Sequence, residues 1–285
     1  MLKKLTNRVH YMPYYSETDR PALGLIAGDR YSLVVDSGNS PAHASEFIAL
    51  VDKMDIPKMK LLAITHWHWD HIFGMKTMDL LTISHEETKK KIEYLKTLKW
   101  DDTSLDKRVE TGEEIEFCSE MIKREMPTRE SLELKMPDIT FDHKIKIDLG
   151  SITCVVEHVG GVHAGDSAII YIPEEKVMFL GDCIYQDFYS GDWSYDLYEF
   201  NILVNKIKKY DVNYYVTGHQ DPKTNEEMDS FFEELIGIGE MVGKEVTFDK
   251  AVTKFKEAQK TSPTEDQLEF IQNFVSGNQK KEKNK

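Results

Sequence analysis

Cysteine is scarce in this chain. Its three copies, Cys118, Cys154 and Cys183, are an odd number with no C-x-x-C spacing, which argues against a disulfide framework and predicts a reducing, cytoplasmic location. Positive charge is short too: 36 lysines and arginines stand against 50 aspartates and glutamates, a formal net charge of -14. Nucleic-acid binding needs basic side chains to neutralise phosphates, so this balance argues against a polyanionic partner. Long apolar runs are also missing. None approaches the ~18 consecutive residues of a membrane span, and no apolar stretch of signal-peptide length follows Lys3 and Lys4. A small-molecule substrate is the partner left to expect, with oligomeric state open.

Strand and helix signals divide the rest. Two β-rich runs, 22–28 and 31–37, flank the turn signal Gly28-Asp29. Ser40-Pro41 then opens a predicted helix whose apolar stripe is Phe47, Ile48, Leu50 and Val51. Residues 60–65 read as a buried strand. Strand signals return at 145–150, 151–159, 168–173 and 176–182, joined by connections short enough for hairpins. A helical stretch near 196–209 precedes a last strand at 213–219. Helical spacing resumes in 226–242 and at Leu268, Ile271, Phe274 and Val275. Two sheets packed together and clothed by helices are expected, as one domain over 1–275. Segment 86–137 is weakly patterned and reads as a helical insertion, either a lid or a solvated helical pair. Residues 276–285 are too polar to pack and are predicted to form a disordered tail.

Against this background one stretch stands out. "THWHWDH", 65–71, crowds His66, His68, Asp70 and His71 together in a chain with ten histidines. On an extended segment, residues two apart project to one side, so His66 and His68 can face one ion. Several imidazoles and a carboxylate at a strand end are costly to bury unless a cation compensates them, and imidazole and carboxylate are the donors that ions such as zinc take. Three more ligand-type residues follow strands or glycines: His163 in "GGVHAGDS", Asp182 in "FLGDCIY" and His219 in "VTGHQD".

In order and identity, His66-x-His68-x-Asp70-His71 followed by His163, Asp182 and His219 resembles the metallo-β-lactamase superfamily. "VVDSG" at 34–38 and "DSAIIYIPEEKVMFLGD" extend the likeness over roughly residues 20 to 222. The resemblance implies an α/β fold, a four-layer αββα sandwich of two mixed sheets with a site at one edge. It implies two divalent ions, zinc first with manganese or iron as alternatives: His66, His68 and His163 around one, Asp70, His71 and His219 around the other, and Asp182 between them. Asp36 would orient a ligand histidine through its other ring nitrogen. Many members carry an H-x-x-x-H segment at the third ligand, whereas His158 and His163 are five apart here; the residues after His163 fit better, and His158 is read as a strand histidine.

Paired cations acidify a shared water enough to supply hydroxide near neutral pH, and Asp70 is the catalytic candidate for holding that nucleophile in line. The expected activity is cleavage of an ester, thioester, lactone or phosphodiester bond in a small molecule. The alternatives are β-lactam hydrolysis and a redox activity like that of the iron-dependent sulfur dioxygenase relatives, which use similar ligands for the first metal. Asp182 stands where one group of true β-lactamases carries cysteine, which favours the ester-type branches. The adjacent Cys183 should face the core on an extended chain. Trp67, Trp69, Tyr185, Phe188, Tyr189, Trp193 and Tyr195 are candidates to line an apolar pocket, or simply to pack beneath the site.

Overall fold

Alternation along the strands builds this fold, which the computed structural model describes over residues 1–283. The first sheet holds β1 (Lys3–Lys4), β2 (Val9–Met12), β3 (Leu23–Ala27), β4 (Ser32–Val35), β5 (Met59–Ala63), β6 (Leu81–His85) and β7 (Ile139–Phe141), side by side in that order. It is antiparallel from β1 to β4 and parallel from β4 to β7. The second sheet comprises β8 (Lys144–Asp148), β9 (Thr153–His158), β10 (Ala168–Ile172), β11 (Val177–Gly181), β12 (Tyr214–Thr217) and β13 (Lys223–Thr224). Its spatial order runs from β13 back to β8, with only β11 and β12 parallel.

The central strands β3, β4, β10 and β11 are buried on two faces, which explains their nearly continuous apolar runs. On β4, Leu33 and Val35 point between the sheets while Val34 points outward; on β10, Ile170 and Ile172 point inward and Ile169 and Tyr171 outward. The inward set from both sheets forms one core. Each fully buried side chain of this size contributes roughly 1.5–3 kcal/mol.

Helices cover the outer faces. Over the first sheet lie α1 (Pro41–Val51), the single turns α2 (Trp69–Ile72) and α3 (Met75–Met78), then α4 (Glu86–Leu95), α5 (Asp102–Thr111) and α6 (Glu116–Glu125). Ser40 caps α1 by accepting from the His43 N–H, and Pro41 occupies the first turn, as the sequence predicts. Over the second sheet lie α7 (Leu197–Ile207), α8 (Asn225–Val242), α9 (Phe248–Gln259) and α10 (Glu265–Lys283). The layers are therefore α, β, β, α. No helix among the described residues is long and apolar enough to cross a membrane.

Two expectations need correction. Segment 86–137 is not a solvated helical pair: α4, α5 and α6 bury Ile92, Leu105 and Ile122 in the core under the first sheet. Its apolar residues are sparse, but they fall on the faces turned inward. The predicted loose tail is also wrong for 276–283, because α10 continues to Lys283. Gly277 packs so tightly on the Tyr195 backbone that a Cβ would overlap it. Lys280 reaches Asp187 (3.1 Å) and Ser194 (2.7 Å), and Lys281 reaches Asp196. A polar sequence thus folds through pairing. Residues 284–285 lie outside the described residues.

One buried carboxyl ties the helical layer to the other sheet. Thr88 of α4 donates to Asp166 at 2.7 Å, in the loop between β9 and β10. Burial pushes the Asp166 pKa up to about 6, above the 3.8 of a free side chain. Between those values the folded chain keeps a proton that the unfolded chain releases, so this contribution to stability falls as pH rises through that window and stays low above it. In Asp166→Asn, denaturant unfolding should show a smaller loss of stability between pH 4 and pH 8, by about 1–3 kcal/mol relative to wild type. Identical pH profiles for the two proteins would show that Asp166 ionises freely in the fold.

Candidate metal centre

The site grows from the end of β5. Past Ala63 the chain stays extended through His66 and His68, then closes into the turn of α2, which carries Asp70 and His71. This change of direction fans the side chains around one point. His66 and His68 have ring centroids 4.5 Å apart. His163 arrives from the loop after β9, with its ring 4.6 Å from that of His68. Asp182 follows β11, and His219 follows β12.

All seven residues singled out from the sequence meet at this edge. Ligand atoms of His66, His68 and His163 lie within 4.8 Å of one another, as do those of Asp70, His71, Asp182 and His219. Asp182 stands between the groups. Its Oδ2 is 3.9 Å from His66 Nε2 and 3.6 Å from His163 Nε2 on one side, and 3.3 Å from Nε2 of both His71 and His219 on the other. Asp70 Oδ2 is 3.0 Å from His71 Nε2 and 3.1 Å from His219 Nε2. His158 stays apart, as expected of a strand histidine: it stacks on His85 at 3.9 Å and bonds the Gly165 carbonyl.

Glycine makes the approach feasible at two positions. Gly181 has φ +51, and a Cβ there would press on Thr65. A Cβ on Gly218 would overlap Asp182 Oδ1, so the loop carrying His219 can close on the aspartate only because that side chain is missing.

Outer contacts fix the rings. Asp36 accepts from His71 Nδ1–H at 2.8 Å, and also from the Thr65 N–H and hydroxyl, each at 2.8 Å. It holds φ +59, a left-handed conformation uncommon for a residue with a side chain. His163 donates Nδ1–H to the Gln186 carbonyl at 3.0 Å, which turns Nε2 toward the cluster. Asp19 does the same for His219, at 3.3 Å from Nδ1. It was not found by sequence reasoning, because "SETDRP" carries no ligand pattern and Asp19 reaches the site only through its own φ of +56. Burial raises its pKa to about 7 despite the neighbouring His219. The Tyr185 hydroxyl accepts from the His219 backbone N–H at 3.4 Å. Partners of this kind typically shift metal affinity 10–100-fold, so Asp19→Ala should weaken retention of one ion by about that factor in a chelator competition. Unaltered competition curves would remove Asp19 from the site.

The electrostatics divide along the same line. Burial drives the pKa values of His66, His68 and His163 down, so these rings are neutral and present lone pairs. Burial also opposes charge on His71, but Asp70, Asp36 and Asp182 together outweigh it and raise His71 well above the usual value. The same contest favours charge on His219, where Asp182 is the main partner. For Asp182, burial works against the carboxylate, yet His219 and His71 hold it well below the usual range. His66 Nε2, His163 Nε2 and Asp182 Oδ1 are buried with no hydrogen-bond partner. Such atoms are expensive to bury alone. Cations placed between them would satisfy all three, so the residues present fit a pair of metal ions.

A cavity of about 490 Å³ opens over this edge, with His68, Asp70, His163, Asp182 and His219 on its floor. Of the seven aromatic candidates, Trp69, Tyr185, Phe188, Tyr189, Trp193 and Tyr195 line it. Trp67 does not; it packs on Tyr189 beneath Lys91. Phe117 of α6, Phe231 of α8 and Phe270 of α10 complete the walls, with no pattern in the sequence that announces them. Cys183 faces the core, as expected.

A four-layer sandwich with two clusters of ligand-type side chains meeting at one rim, each able to hold a metal ion, defines the class of fold. The chain belongs to the metallo-beta-lactamase superfamily, whose family model matches residues 22–219. It is 23% identical over 186 residues to the human (Homo sapiens) acyl-coenzyme A thioesterase MBLAC2, a match covering 60% of this chain and 61% of that protein. The chain thus spans about three fifths of the length of that relative. Among solved structures, the metallo-beta-lactamase from Pontibacter korlensis superposes with a TM-score of 0.54 at 17% identity, covering 82% of this chain and 97% of that one. DIM-1 metallo-beta-lactamase gives 0.54 at 15% identity, covering 82% and 96%. At these identities the two structures speak to the fold alone.

Proposed function

We propose that the protein is a metal-dependent hydrolase that cleaves an ester-type bond (ester, thioester, lactone or phosphodiester) in a small molecule. One observation carries this reading: Asp182 Oδ2 lies within 3.9 Å of histidine Nε2 atoms from both clusters, so a single carboxylate can serve two cations. His66, His68 and His163 would hold one ion, and Asp70, His71 and His219 the other. Nitrogen and oxygen donors without sulfur suit zinc, which we take as the resident metal, with manganese or iron able to use the same set. When bound, such a pair supplies Lewis acidity and brings the pKa of water near neutrality.

The chain's own groups do the rest. Asp70 faces the cavity and, with His71 and His219 outweighing burial, is held ionised below the usual range. Its carboxylate can accept a hydrogen bond from the attacking water and keep it in line. Asp36, Asp19 and the Gln186 carbonyl hold the imidazoles in one orientation before substrate arrives, which limits reorganisation during the reaction. Aromatic walls exclude bulk water and strengthen the charges within. The name of the human relative supports the thioester option. The three buried free cysteines suit a reducing cytoplasm.

The experiment is a panel of ester, thioester, lactone, phosphodiester and β-lactam substrates on metal-loaded protein. Turnover of at least one ester-type substrate, lost on chelation and restored by metal, is expected. Turnover confined to the β-lactam would replace this reading, and no hydrolysis of any of them would end it.

A further inference from the structure

The charges around the cavity carry a second message, which rests on the hydrolase reading. Among the described residues, no lysine or arginine lines the cavity, whereas Asp266 and Glu269 do, and Asp19 is taken up by His219. Asp266 and Glu269 both stand exposed on α10 at the mouth. Two cations next to lining residues are committed elsewhere: Lys280 to Asp187 and Ser194, and Arg20 to Glu125 and Glu46. The walls themselves are aromatic. Phe188 and Trp193 meet edge to face at 4.8 Å, and Phe231 and Phe270 at 6.2 Å. Trp193 and Phe117 remain 47% and 46% exposed and place apolar surface at the rim.

We propose that this cavity selects an uncharged, apolar acyl substrate and rejects substrates that bear several negative charges, coenzyme A esters included. The physical reason is direct. With the cations held at the floor beside the reacting carbonyl, a phosphorylated carrier left at the mouth between α6 and α10 would meet Asp266 and Glu269 with no lysine or arginine in the lining, on a chain whose formal net charge is -14. Like charges brought together at a binding surface cost affinity and slow encounter. An apolar acyl chain meets none of this and buries its surface against Phe117, Phe231 and Phe270. The selecting side chains on α6, α8 and α10 lie outside the run 163–219 that carries the later metal ligands.

The test compares S-octanoyl-pantetheine with octanoyl-coenzyme A on the full, metal-loaded chain at low salt. The two share the acyl group, the thioester and the pantetheine arm, and differ in the phosphorylated nucleotide. The neutral thioester should show a kcat/KM at least about tenfold higher, with the gap narrowing as salt screens the rim. The double variant Asp266→Lys with Glu269→Lys should raise kcat/KM for the coenzyme A ester and shrink the ratio. Equal or faster turnover of the coenzyme A ester by the wild-type chain would overturn the proposal while leaving the hydrolase reading intact. If neither ester is cleaved, the hydrolase reading fails on thioesters. Calorimetric titration with the matching S-octyl thioethers then decides the charge selection: tighter binding of the neutral thioether supports it, and equal or tighter binding of the coenzyme A thioether overturns it.

Discussion

Replacing Asp182 with alanine should lower kcat/KM at least about 10³-fold and cut the retained metal from two ions per chain to one or none. The expected size follows from its position. Asp182 Oδ2 lies close to Nε2 atoms of His66, His71, His163 and His219 at once. No neighbour can take its place, because Asp70 reaches only the His71 and His219 side. Without this carboxylate, four imidazoles converge on a buried space with no negative partner between the clusters. The residue lies at the end of β11 and contributes no apolar packing, so the variant should still unfold cooperatively. Metal content by plasma emission, steady-state kinetics and a thermal melt separate the effects. A variant that keeps two ions and turns over within tenfold of wild type would show that Asp182 does not join the two clusters.

Stripping the metal should be the second large effect, this time on stability. A ligand that binds only the folded state at about a thousand times its dissociation constant adds roughly 4 kcal/mol. Removing it also leaves Asp36, Asp70 and Asp182 buried around His71. In the metal-free chain His71 compensates by holding a proton, since the three carboxylates overcome the opposition of burial. Its pKa is raised above the unfolded value of 6.5. That stabilisation is therefore complete below pH 6.5 and drains away as pH climbs toward the raised value, by at most roughly 1.4 kcal/mol per pH unit for one proton. Metal loading displaces this proton, so the loaded chain lacks the slope. Chelated protein should melt lower than loaded protein at every pH, with the difference widening from pH 6.5 to pH 9. Equal melting of the two forms would mean that the clusters hold no ion of consequence to the fold.

Why the metal residues were legible from sequence and their supports were not follows from chemistry. Cation ligands must be imidazole, carboxylate or thiolate, so the five histidines among the seven candidates stood out as a rare residue type near strand ends, Asp70 by its place among them, and Asp182 by its glycine and its order. Asp36 was legible only through the family resemblance that "VVDSG" carries. Asp19 was not, because an aspartate that bonds a histidine's far nitrogen needs only geometry, supplied here by a left-handed backbone that the sequence does not announce. Strands β3 to β5 and β8 to β12 were legible through apolar runs and turns. Strands β6 and β7 were missed; β7 is three residues long and pairs only along β6. The C-terminal end of α10 was misread because its stability comes from Lys280, Lys281 and the close seat of Gly277, and composition alone does not show these. The walls of the cavity were hidden for a similar reason. Phe117, Phe231 and Phe270 come from three separate helices and converge only after the sheets have packed.

The most direct measurement is anomalous X-ray scattering from crystals of metal-replete protein, recorded at the absorption edge of the metal that elemental analysis identifies. Two peaks about 3.5–4 Å apart are predicted, one among His66, His68 and His163, the other among Asp70, His71 and His219, with Asp182 reaching both. A lone peak, or peaks away from Asp182, would contradict the account.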